Sequence, residues 1–188
     1  MSTVEQQIST PEDLLRMPDG DLFELVDGQL VEKDMGGKSA WVGGRIFKLL
    51  SLYEDEHGGW AFPGDTGFQC FAFEPEMVRK PDAAYVAAGR FENDEIPDGH
   101  IRVRPDLAVE VVSPNDIYTR VEDNVDEYLR AGVPLVWVLN PENRTVRVFE
   151  DPDGRSTQLG PKDELTAPKV LPGFRCRIAE LFAGSASV

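Results

Sequence analysis

From Lys38 to about Glu56, Trp41, Val42, Ile46, Phe47, Leu49, Leu50 and Tyr53 recur at the spacing of one helix face, and His57-Gly58-Gly59 ends the run, so the pattern predicts a first long helix. Gly43 and Gly44 inside it cost about 1 kcal/mol each relative to alanine, which points to close packing against a sheet. Before this helix, Thr10-Pro11-Glu12-Asp13 reads as the cap and first turn of a short helix. Two short alternating runs, Leu22 to Val26 and Gln29 to Glu32, flank Asp27-Gly28 and predict a hairpin. After it, strands are expected at Trp60 to Phe62, Thr66 to Phe73 and Met77 to Val86, with Lys80, Asp82, Ala84 and Val86 on one side of the last. Residues 87 to 101 are polar and punctuated by Gly and Pro, and read as a loop.

The most informative run is Arg104-Pro-Asp-Leu-Ala-Val-Glu-Val-Val-Ser-Pro114. Leu107 to Val112 has the apolar continuity of a strand buried on both faces, interrupted by Glu110. Alternation sends Leu107, Val109 and Val111 to a dry face, and Asp106, Ala108 and Glu110 to the other. An interior carboxylate needs a cation or a hydrogen-bond network. Ser113 to Asp116 then reads as a turn and cap. A helix is expected from about Ile117 to Arg130, with Ile117, Val121, Val125, Tyr128 and Leu129 as its inner stripe. Asn124 falls within that stripe, and Glu122, Asp123, Asp126 and Glu127 fall on the solvent side. Val133 to Leu139 is a second buried strand, parallel to the first across this helix. Thr145 to Phe149 alternates as a further strand, and Val170 to Phe182 is apolar enough to dock. The expected fold class is α/β (α+β), a mixed central sheet flanked by helices.

Composition narrows the function. The chain has 188 residues, 41% of them hydrophobic, enough for one domain with a full core spanning 1–188, its N-terminal helix and hairpin at about 9–33. No basic leader and no long apolar run appears, so a cytoplasmic protein without a membrane partner is expected. A net charge of −15 argues against a protein that coats nucleic acid, but leaves room for an enzyme with metal ions at its site. Cys70 and Cys176 are expected as free packed thiols. Phosphate-cradling glycine motifs are absent, Ser113 lacks a nucleophile elbow, and the scattered His and Cys cannot make a zinc site.

What remains is a carboxylate site. Asp82 and Glu110 supply hard oxygen ligands suited to Mg²⁺ or Mn²⁺. The order Pro81-Asp82, then Pro105-Asp-Leu-x-x-Glu110-Val-x-Ser-Pro, a helix carrying Tyr128-Leu-x-x-Gly-Val, and Trp137-Val-x-x-Pro resembles the Uma-two family of restriction endonucleases, within the PD-(D/E)XK nuclease superfamily. Phe23-Glu-Leu-Val-Asp-Gly28 and Leu171-Pro-Gly-Phe174 extend the likeness, which runs from about residue 8 to about 182. The resemblance implies a restriction-endonuclease-like fold and a DNA endonuclease that hydrolyses phosphodiester bonds with Mg²⁺ or Mn²⁺. It also allows a homodimer.

On the same ground Asp82 and Glu110 would hold the metal, with Glu24 as a third acid. The family commonly carries a lysine on the following helix, where this chain has Asn124, and cleavage is therefore expected to be slow. Lys80 and Arg104, each sharing a strand face with an acid, are the candidates to replace that charge. The alternative is a catalytically degraded nuclease fold that binds or regulates. A third reading is a scaffold whose acids are simply paired.

Overall fold

The computed structural model describes residues 10–33, 36–113, 118–150 and 154–184. Helix α1 (Pro11–Arg16) starts at Thr10, whose hydroxyl accepts the Asp13 N–H while the Asp13 carboxylate accepts the Thr10 N–H, a reciprocal capping box. Strands β1 (Phe23–Val26) and β2 (Gln29–Glu32) form the expected hairpin. Asp27 and Gly28 both take positive φ, 50° and 70°, as a tight two-residue turn requires. Helix α2 (Gly37–His57) follows and ends at Gly58.

The central sheet has six strands in the order β3 (Trp60–Pro63), β4 (Ala83–Val86), β5 (Leu107–Val111), β6 (Val136–Asn140), β7 (Thr145–Phe149) and β8 (Ser156–Leu159). Only β5 and β6 are parallel, joined through helix α3 (Tyr118–Arg130). The sheet is therefore mixed, as expected. Strands β9 (Glu164–Ala167) and β10 (Leu171–Arg177) pair separately and lead into α4 (Ile178–Phe182). One face of the sheet packs Leu107, Val109 and Val111 against Val42, Ile46 and Leu50 of α2, with Leu171, Phe174 and Leu181 closing the same core. The other face packs Ala108, Val136 and Val138 against Val121, Val125 and Tyr128 of α3. The two faces of β5 are thus assigned as its alternation predicts.

Several expectations change. No strand spans Thr66 to Phe73; Phe68 makes only single bridges, to Arg79 and Ile101. The run Met77 to Val86 is split, with bridges at Val78 and Arg79 and a strand only from Ala83. Pro81 lies in the break, where its ring removes a backbone donor and restricts Lys80. Strands β8 and β9 have few apolar residues and were not expected. Of the two helical glycines, Gly43 lies against Asp82, yet an added Cβ would stop at an ordinary 3.8 Å, and Gly44 faces open space. Cys70 and Cys176 are free thiols, as expected. Of the turn and cap expected at Ser113 to Asp116, residues 114–116 lie outside the described residues, as does the expected helix start at Ile117.

Candidate active site

Antiparallel pairing of β4 with β5 sets Ala83 opposite Val109, and Asp82, just before β4, and Glu110, next to Val109 on β5, flank that pair where the ladder ends. Both side chains are buried, at 6% and 7% exposure. Two neighbouring buried carboxylates repel, and burial strengthens the repulsion. Asp82 is clamped by main chain: its own N–H donates to the Val109 carbonyl at 2.8 Å, and its Oδ2 accepts the Val111 N–H at 2.6 Å. Glu110 accepts a hydrogen bond from the Tyr128 hydroxyl at 3.0 Å on Oε1. Burial first, and the Asp82 charge second, push the Glu110 carboxyl up to about 8. The phenol of Tyr128 is raised for the same reasons, burial first and the Glu110 charge next.

The cation that meets this pair is Lys33, just past the end of β2. Its Nζ lies 2.8 Å from Asp82 Oδ1 and donates to the Gly64 carbonyl at 3.2 Å and to the Lys80 carbonyl. By distance the Asp82 contact is an ion pair, while Oδ1 accepts no well-directed hydrogen bond. Burial alone would lower the Lys33 ammonium, but Asp82 and then Glu110 reverse this and raise it above the ordinary lysine value. Lys33 lies outside the recognisable motifs, and the sequence reading missed it. A lone lysine after a hairpin strand gives no local signal of its partner.

Glu24 is buried nearby, but not as an open third ligand. Its Oε2 accepts from Arg79 Nη1 at 2.9 Å and its Oε1 accepts the Lys80 N–H at 2.7 Å. Arg79 also forks onto Glu127, at 2.6 and 2.8 Å, so Glu127 faces inward rather than to solvent. This Glu24–Arg79–Glu127 chain ties the hairpin to α3, supported by the Leu25–Val78 bridge. Lys80, expected beside Asp82, turns its ammonium to the Gly20 carbonyl at 2.7 Å. There it lines a separate cavity of about 420 Å³ with Asp21, Asp65 and His100. Arg104 lies beside Gly132, and Asp106 pairs with Arg90, so neither joins the carboxylate pair. Asn124 is buried on the inner stripe of α3, one turn before Tyr128, and its Oδ1 has no hydrogen-bond partner. The hydrogen bond to Glu110 comes from Tyr128 instead.

Around the pair the described residues bring four carboxylates, Glu24, Asp82, Glu110 and Glu127, against two cations, Lys33 and Arg79. The donor set is all hard oxygen and short of positive charge, which fits a divalent cation at Asp82 and Glu110. A cluster of three or more His, Cys, Asp or Glu side chains arranged to hold a metal does not occur among the described residues. The fit is therefore to two carboxylates, with main-chain oxygens beside them. A larger cavity of about 730 Å³ lies beneath Phe91 to Val103, and neither acid lines it.

The family model Uma2, described as "Putative restriction endonuclease", matches residues 11–179. This chain belongs to the Uma2 family. Among solved structures, a "putative nuclease belonging to DUF820 from Anabaena variabilis" superposes with a TM-score of 0.77 at 22% identity, covering 93% of this chain and 97% of that one. At that identity the likeness shows the fold, which is restriction-endonuclease-like. No curated protein matches the sequence. Among the described residues, no helix of this Uma2 member is long and apolar enough to cross a membrane.

Proposed function

We propose that the protein is a divalent-metal-dependent endonuclease acting on DNA, with Asp82 and Glu110 as the residues that hold Mg²⁺ or Mn²⁺. The observation that carries this reading is the burial of the two acids side by side in a cluster whose four carboxylates meet only two cations among the described residues. A divalent cation bound there would offset the negative charge that builds on a phosphodiester as water attacks it. The chain's own groups prepare the site. The Val111 N–H fixes one oxygen of Asp82, Tyr128 orients Glu110, and the Glu24–Arg79–Glu127 chain holds the hairpin and α3 in place around them. Glu24 is thus a positioning residue acting through Arg79, and Lys80 belongs to a neighbouring cavity.

A second reading, a nuclease fold that binds DNA without cutting it, is favoured by the uncharged Asn124 on the helix and by the Lys33 contact to Asp82. Incubation of supercoiled, linear and single-stranded DNA with Mg²⁺ or Mn²⁺ separates the two. Cleavage by the wild type that Asp82→Asn and Glu110→Gln abolish supports the enzyme. Inertness of the wild type on every DNA form, with a retained mobility shift, establishes the binding protein instead.

A further inference from the structure

Lys33 reaches the carboxylate pair from an element that carries no other acid-site group, and its surroundings resemble those of a bound metal ion. Three oxygens from two segments face its ammonium: Asp82 Oδ1 and the Lys80 carbonyl from the stretch before β4, and the Gly64 carbonyl. One charged carboxylate with neutral main-chain carbonyls is the hard-oxygen set that divalent cations take. The oxygens are also firmly placed. A Cβ on Gly64 would lie 3.1 Å from the Asp82 carbonyl, so these two stretches of main chain are packed tightly together. Asp82 Oδ2 is already committed to the Val111 N–H, which leaves Oδ1 as its ligand oxygen, and the ammonium stands 2.8 Å in front of it.

A divalent ion on that oxygen would stand beside the ammonium, where the two positive charges repel at close range in a buried site. We propose that Lys33 is a tethered cation filling the place at Asp82 that a divalent ion would take, so that metal binding requires Lys33 to swing out. The inference rests on the reading of Asp82 and Glu110 as the metal-holding pair. The other cations near the site cannot serve this role. Arg79 is forked between Glu24 and Glu127, and Lys80 donates to Gly20. Displacement would give the freed ammonium donors that it now spends on Gly64 and Lys80, and would place a mobile positive charge beside the metal site.

Mn²⁺ titration of the full-length chain, followed by the paramagnetic resonance signal of free Mn²⁺, tests the competition. Lys33→Met should bind Mn²⁺ about tenfold or more tightly than the wild type, and Asp82→Asn should lose that binding. Equal or weaker binding by Lys33→Met, still abolished by Asp82→Asn, overturns the competition and leaves the metal reading intact. If neither protein binds Mn²⁺ in a manner that depends on Asp82, both readings fall. Should Lys33→Met not fold, acetylation of the wild type by an amine-reactive ester, read by peptide mass spectrometry, decides the question. Saturating Mn²⁺ should raise labelling of Lys33 severalfold relative to Lys38, whose side chain is 56% exposed. Unchanged or reduced labelling of Lys33 with Mn²⁺ bound overturns the inference.

Discussion

Replacing Glu110 with glutamine should stabilise the metal-free protein, and the gain should grow as pH rises. Glu110 is buried near Asp82, and burial together with that charge lifts its carboxyl from the ordinary 4.5 to about 8. The native state therefore keeps a proton that the unfolded chain releases above about 4.5. Between these two values the native state binds more protons than the unfolded one, so stability falls with rising pH, and the loss is complete above about 8. The full displacement corresponds to roughly 5 kcal/mol as a ceiling, which relaxation and water entry reduce. Even a small part of it, on the order of 1–2 kcal/mol, would move the melting temperature by several degrees in a chain of this size. Glutamine keeps the shape, and its amide oxygen can still accept from the Tyr128 hydroxyl, so the substitution removes the titration without opening a void. Melts by circular dichroism with EDTA at about pH 5.5 and about pH 9 give the comparison, because groups remote from Glu110 titrate alike in both proteins. A melting difference between Glu110→Gln and wild type that is flat with pH, or that shrinks toward alkaline pH, would refute the argument.

Other substitutions probe the surrounding structure. Val109→Asp puts an unpaired charge at a position with no exposure, between β5 and α2, and should cost several kcal/mol, comparable to total stability; a soluble protein with a cooperative melt would contradict this. Arg79→Met leaves Glu24 and Glu127 without their shared cation and should destabilise by about 3–5 kcal/mol in denaturant titration, and a change below about 1 kcal/mol would show that the ion chain is incidental. Asn124→Lys adds positive charge one turn before Tyr128 on the inner stripe of α3 and should raise metal-dependent cleavage about tenfold, whereas an unchanged rate would locate the needed charge elsewhere, with Lys33 the first candidate.

Local patterning was enough to read the frame of this protein. The 3.6-residue recurrence in α2 and α3, the alternation of β5, and Asp27-Gly28 in its hairpin express short-range sterics and burial, and each element stands where its residues predict. Glu110 was conspicuous as the acid in a dry strand, and Asp82 through its place in the family motif. Tertiary structure decided which partners those charges meet. Pro81 breaks the strand that would have kept Lys80 beside Asp82, and the ammonium turns instead to Gly20. Glu24 and Glu127 find Arg79 across separations of 55 and 48 residues, and Lys33 reaches Asp82 because the hairpin docks on the stretch before β4. A charged side chain selects its partner by the position of segments distant along the chain, and the periodicity of neither segment carries that register. Buried electrostatics depends steeply on distances of a few ångströms, so the acids were legible as acids, while their cations became visible only when the segments came together.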